Sequence, residues 1–380
     1  MKLIYRHFNE DSIENYKIIN NYLKKKEKKD ILEVDVTKID KFLNVLKSSN
    51  IEKNLQEIKK NIKINKTKIT DPINLTNNIF ISDDIKEESV NIKYKYDIKV
   101  EDNVTINLFT LNEKDKINLF KTVNIYNWLL NLSNQPKKRA ISLDFYLLTN
   151  KKKLDEKHVL GPKHVNSGST TNKKFIQIWR KEEFYKVYIH ELIHYFGYDF
   201  YDSSQIISSS LKEIYNINLS CRIIPNEAYV DIWAMIFNCL YISWELSTSS
   251  ESQIKLFKFM LTHEIYFCLY QTAKLLKHFG FSSMEELSNN QSDKKIKQQT
   301  SVFSYYIIKS SLFYNLNKFF DFVKDFDFIK FNETDENLKG FRKLIIECMG
   351  DESFVKEVNN LMYLVQNKTL RMSLTEISYD

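Results

Sequence analysis

One stretch limits this chain more than any other: residues 181–198, KEEFYKVYIHELIHYFGY, apolar on nearly every side yet carrying two histidines and a glutamate. Val187, Ile189, Leu192, Ile193 and Phe196 surround His190, Glu191 and His194, a spacing that predicts a buried helix. Buried imidazoles and a buried carboxylate are costly unless partnered. Residues four apart lie one above the other on the same helical face, so His190 and His194 can offer nitrogens to a single cation. Seven histidines in 380 residues would produce H-E-x-x-H by chance in about one such chain in a hundred. The pattern therefore predicts a metal site, with Glu191 angled away from the ion as a base for water.

The strands around this helix can be read from period-two alternation. From position 89, Val90, Ile92, Tyr94 and Tyr96 alternate with polar residues, as do Val104, Ile106 and Leu108. Residues 101–103 lie between them, which predicts a hairpin. Residues 117–132 read as a helix with Leu119, Val123, Tyr126, Leu129 and Leu130 inward, residues 139–148 as a strand, and residues 175–179 as a strand running into the motif helix. Residues 166–170 are a candidate edge segment, with a plain surface loop as the alternative. As an edge, Asn166 and Gly168 would bind an extended peptide by strand addition.

A second acidic feature follows at Pro225-Asn226-Glu227, with Asp231 one turn on. Proline before Asn226 suits a helix start, with Asn226 expected as its cap. Glu227 and Asp231 would share a face, Glu227 as a third metal ligand and Asp231 orienting a ligating histidine. Toward the carboxyl end, Phe257, Met260, Leu261, Ile265 and Leu269 form one apolar stripe and residues 305–316 another. His263, Tyr305 and Tyr306 are candidate oxyanion donors there, though packing with a satisfied polar tip is the favoured reading of each. Near the amino end, Ile13, Tyr16, Ile19 and Tyr22 make a weaker stripe, and Ile39, Phe42, Leu43 and Leu46 another.

Composition narrows the classes. With 43% hydrophobic and 14% aromatic residues the chain is globular. Its few glycines and prolines beside abundant Lys, Asn and Ile fit codon bias in an AT-rich genome, so the net charge of +7 and the basic runs at Lys24, Lys25 and Lys26, at 137–139 and at 151–153 read as solvated surface. No nucleic-acid partner is expected. Cys221, Cys239, Cys268 and Cys348 show no C-x-x-C spacing, which suggests a reducing compartment. The first residues are charged too early for a secretory signal, and residues 228–244, the most apolar run, carry Asp231 and Asn238. An intracellular protein with no signal peptide, transmembrane segment or membrane partner is expected.

His190-Glu191-Leu192-Ile193-His194 followed by Asn226-Glu227 and Asp231 resembles the zincin metallopeptidases, in the branch with a glutamate third ligand (gluzincins) and its N-E-x-x-x-D helix. The resemblance covers roughly residues 139–245. It implies one Zn²⁺ per chain on His190, His194 and Glu227, Glu191 as general base, Asp231 as support for a histidine, and a peptide or protein substrate. The implied fold is α+β: a zincin-like lobe with a small mixed sheet and active-site helix over residues 86–250, after a lysine-rich helical region (1–85) and before a mainly helical lobe (251–380). The 32 residues between His194 and Glu227 exceed the family's usual spacing, as an inserted loop would. Gly197 also fits the metzincin pattern, but the position of that branch's third ligand is Phe200, with Asp199 one residue early and Asp202 two late. Composition and flanks look similar to uncharacterised proteins of large DNA viruses, which would allow a virion-associated protein. Two other functions compete: a zinc-stabilised structural protein without activity, and a basic nucleic-acid-binding protein with an incidental motif.

Overall fold

The computed structural model describes residues 4–48, 62–73, 75, 78–100, 104–132, 140–156, 159–171, 173–200, 204–218, 223–288 and 292–378. The expected turn at 101–103, the basic run at 137–139, Asp202 and Cys221 lie outside them. The chain is α+β, a six-stranded mixed sheet with many helices. It divides into two compact units, Ile39–Lys152 with Asn166–Tyr198, and Met1–Lys38 with Lys153–Val165 and Asp199–Ser378.

The first unit holds the sheet, in the order β1-β2-β3-β4-β6-β5: β1 Lys63–Lys68, β2 Tyr94–Val100, β3 Val104–Thr110, β4 Ile141–Leu148, β5 Gly168–Thr171 and β6 Phe175–Arg180. β1, β2 and β3 pair antiparallel, β3 with β4 and β4 with β6 parallel, and β5 returns antiparallel on β6 at the edge. Parallel neighbours need a crossover. Helix Leu119–Asn131 makes the one between β3 and β4, with Asn118 capping it by accepting from the Lys121 amide. The alternation read in the sequence at Val104, Ile106 and Leu108 is the pleat, and all three are buried; in β4 Ile141, Leu143 and Phe145 are buried as well. Phe145 packs edge-on against Phe184 and Tyr188 of the motif helix. A satellite cluster of Ile85, Ile92, Phe109, Tyr146, Leu148 and Trp179 is also buried.

One expectation is corrected here. Val90 and Ile92 do not extend the second strand, which starts at Tyr94, because helix Asp83–Ser89 and its closing turn occupy the residues before it. Val90 is correspondingly 52% exposed.

The second unit is mainly helical. Its longest elements are Pro225–Leu246 and Ser250–His278, the latter started by a reciprocal Ser249–Ser252 capping box. The apolar stripe predicted on this helix is buried, from Phe257 to Leu269, and helix Glu10–Leu23 buries Tyr16 and Ile19. The carboxy-terminal segment is held on by buried polar side chains. Glu264 accepts from the Leu374 and Thr375 amides and from Ser373 Oγ, each at 2.8 Å. No described helix is long and apolar enough to cross a membrane.

Candidate metal centre

The motif helix spans Phe184–Phe196. It begins later than the periodicity suggests because Glu183 is left-handed (φ 60°), which breaks the helical path one residue before Phe184. Glu183 is held there by a buried ion pair with Lys152, while the Lys152 amide donates to Glu182 at 2.8 Å. At the other end Gly197 takes φ 69°. Its amide donates to the His194 carbonyl, and that of Tyr198 to Ile193. This is the left-handed closure that glycine makes without a Cβ penalty. Both ends of the motif helix are therefore fixed by backbone geometry.

Within the helix His190 and Glu191 are buried and His194 is half-buried. The Nε2 atoms of His190 and His194 stand 3.1 Å apart. Two nitrogens at about 2.0–2.1 Å from a tetrahedral ion would be separated by a similar distance. Glu191 is seated against β5. Thr170 Oγ1 lies 2.7 Å from Glu191 Oε2 and 2.9 Å from its carbonyl oxygen, and donates its proton to this carboxylate or carbonyl. Gly168, two residues earlier on the same face of the strand, leaves the space that Glu191 Oε1 occupies: a Cβ built there would sit 2.9 Å from it.

Glu227 lies in the first turn of helix Pro225–Leu246 and Asp231 one turn on, so the two share a face as expected. The cap is corrected: Ile224 occupies that position and Pro225 the first turn. Proline lacks the amide that a helix start leaves unpaired. Asn226 instead donates from Nδ2 to Asp199 Oδ2 at 3.1 Å. Tyr305 donates to Glu227 Oε2 at 2.9 Å. It sits in Phe303–Ile308, a run wound with the wider π turn before helix Lys309–Tyr314. Asp231 Oδ2 accepts from Lys309 Nζ at 2.8 Å, both side chains being buried. Lys309 also donates to the Met372 carbonyl.

Among the described residues one group has the makings of a metal site. His190, His194 and Glu227 each offer a ligand atom, and these atoms lie within 4.8 Å of one another. Two imidazoles and a carboxylate suit zinc, but not zinc alone among divalent metals.

The other candidates have different surroundings. The Asn166 carbonyl accepts from Trp179 Nε1 and Arg180 Nε, while Gly168 opens β5 beside Glu191. Tyr306 donates to the Leu370 carbonyl. His263 bonds through Nδ1 to the Phe259 carbonyl and lies among Phe259 and Tyr16. Burial pushes its pKa down to about 4. Thr170, Tyr305 and Lys309 acquire significance only from the fold. Their partners are 21, 78 and 78 positions away, and no spacing rule links residues so distant.

Comparison with known proteins adds one relative. The chain is 24% identical over 226 residues, 58% of this chain and 56% of the other, to the uncharacterized protein R210 of Acanthamoeba polyphaga mimivirus. It thus spans about half the length of the curated relative it matches. No family model matches, and no solved structure matches.

Proposed function

We propose that the chain is a zinc-dependent metallopeptidase of the gluzincin kind, acting on peptide bonds. The observation that carries this reading is the His190, His194 and Glu227 group with a glutamate, Glu191, adjoining the first histidine in the same helix. Held by these three side chains, zinc supplies Lewis acidity towards a peptide carbonyl and makes water more acidic. Glu191 removes a proton from water as the oxygen adds to the carbonyl carbon. It then passes that proton to the amine nitrogen as the C–N bond breaks. Tyr305 orients the Glu227 carboxylate by its hydrogen bond. Asp231, neutralised by Lys309, carries no uncompensated charge in the apolar helix. The outer side of β5, the last strand in the sheet order, is where an extended substrate would add. The mimivirus relative supports a viral source, acting inside the infected cell or packaged in the virion.

The test is Glu191→Gln, which keeps the shape of the side chain and removes the base. Zinc content should stay at the parental level while turnover of an unstructured protein substrate falls by about 10²–10⁴-fold. A variant that cleaves at the parental rate would remove Glu191 from its role. A zinc-loaded parent that cleaves nothing would favour the structural zinc protein.

A further inference from the structure

The structure gives Thr170 two tasks, one for its main chain and one for its side chain. Neighbouring residues of an antiparallel strand alternately turn their main-chain groups toward and away from the partner. The Trp179 amide donates to the Ser167 carbonyl at 2.9 Å, and Ser169 is opposite Gln177. Ser167, Ser169 and Thr171 therefore turn their main-chain groups to β6, and Gly168 and Thr170 turn theirs to the outer edge of the sheet. The side-chain face of the same two residues meets the motif helix. Thr170 Oγ1 lies 2.7 Å from Glu191 Oε2, and the missing side chain of Gly168 leaves room for Glu191 Oε1.

A glutamate has three rotatable bonds and loses considerable freedom when fixed. A base must nevertheless be held within a fraction of an ångström of its working position. Within the sheet unit, the helix fixes the Cα of Glu191 and β5 fixes its carboxylate.

We propose that Thr170 is the positioning residue for Glu191, and that its hydroxyl couples the strand a peptide would join to the group that moves the proton. This rests on the peptidase reading. Thr170→Val retains the shape and the main-chain groups and removes only the bond, so peptide pairing at the edge is unaffected.

The experiment compares parent, Thr170→Val and Thr170→Ser as zinc-loaded full-length proteins, with metal content measured on each. Thr170→Val should lower kcat by about 10- to 100-fold with KM within about twofold, and Thr170→Ser should recover kcat to within about threefold of the parent. Val at parental kcat, or Ser as slow as Val, overturns the proposal while leaving the peptidase reading intact. A parent that cleaves no peptide refutes that reading instead. Crystal structures of the parent and Thr170→Val then decide: a Glu191 carboxylate that leaves its place in the variant supports the positioning role, and one that stays overturns it.

Discussion

Gly168→Ala is a substitution whose sign separates contact from conformation. The backbone of Gly168 is not in the left-handed region, so alanine can adopt it. In open space the change would stabilise the protein by about 0.4–1 kcal/mol, because alanine has less freedom in the unfolded chain. The space is not open. The new methyl would stand 2.9 Å from Glu191 Oε1, 2.9 Å from Val187 Cγ1 and 3.1 Å from the Gln177 carbonyl, where ordinary contact begins at 3.4 Å. The Gln177 carbonyl belongs to the paired strand and Val187 is held in the motif helix. The carboxylate, at the end of a flexible chain, is what gives way. It must retreat by about 0.5 Å, which stretches its bond to Thr170, and a displacement of that size costs about tenfold in turnover. Overpacking of the Val187 side lowers stability by about 1–3 kcal/mol. Thermal melts and peptide-cleavage kinetics on parent and variant measure both effects, with zinc content as control. A variant that is more stable than the parent and turns over equally fast would refute the seat assigned to Glu191.

Three further outcomes are expected. Tyr305→Phe removes the hydrogen bond to Glu227 and should weaken zinc binding by about tenfold in a chelator competition, with the fold unchanged by circular dichroism; undiminished affinity would mean the phenol does not orient the ligand. Lys309→Met removes the ammonium paired with the buried Asp231 carboxylate and should destabilise by about 3–5 kcal/mol in urea unfolding, with much of the loss recovered by adding Asp231→Asn; a single variant as stable as the parent would contradict the pairing. His263, with its pKa pushed down to about 4, stays neutral in the fold where the unfolded histidine, at about 6.5, takes up a proton. Its contribution is therefore complete above about pH 6.5 and declines as the pH falls toward 4, by up to about 3 kcal/mol. His263→Phe should flatten the melting-temperature profile across that window, and parallel profiles for parent and variant would exclude this source of acid sensitivity.

Much of the fold could be read from local rules. Alternation marked β3 and the Tyr94–Tyr96 part of β2, apolar runs marked β4 and β6, and helical periodicity marked the motif helix and the helix after Pro225. Where a local rule failed, another local feature prevailed. The alternation at Val90 and Ile92 yielded to helix Asp83–Ser89, and the Asn226 cap to Pro225 in the first turn. The left-handed Glu183, which sets where the motif helix starts, had no signal, since its buried partner Lys152 is 31 positions back. The site divides in the same way. His190, Glu191 and His194 are one turn of helix and legible as such, and Glu227 with Asp231 is another. Thr170, Tyr305 and Lys309 were not legible in those roles, because their significance lies in hydrogen bonds made within each folded unit between residues far apart in sequence.

The account depends on a cation shared by His190, His194 and Glu227, and metal analysis of the purified protein tests that most directly. The prediction is close to one equivalent of zinc in the parent and little in His190→Ala. A parent without bound metal after zinc loading, or a His190→Ala protein that binds it equally well, would contradict the account.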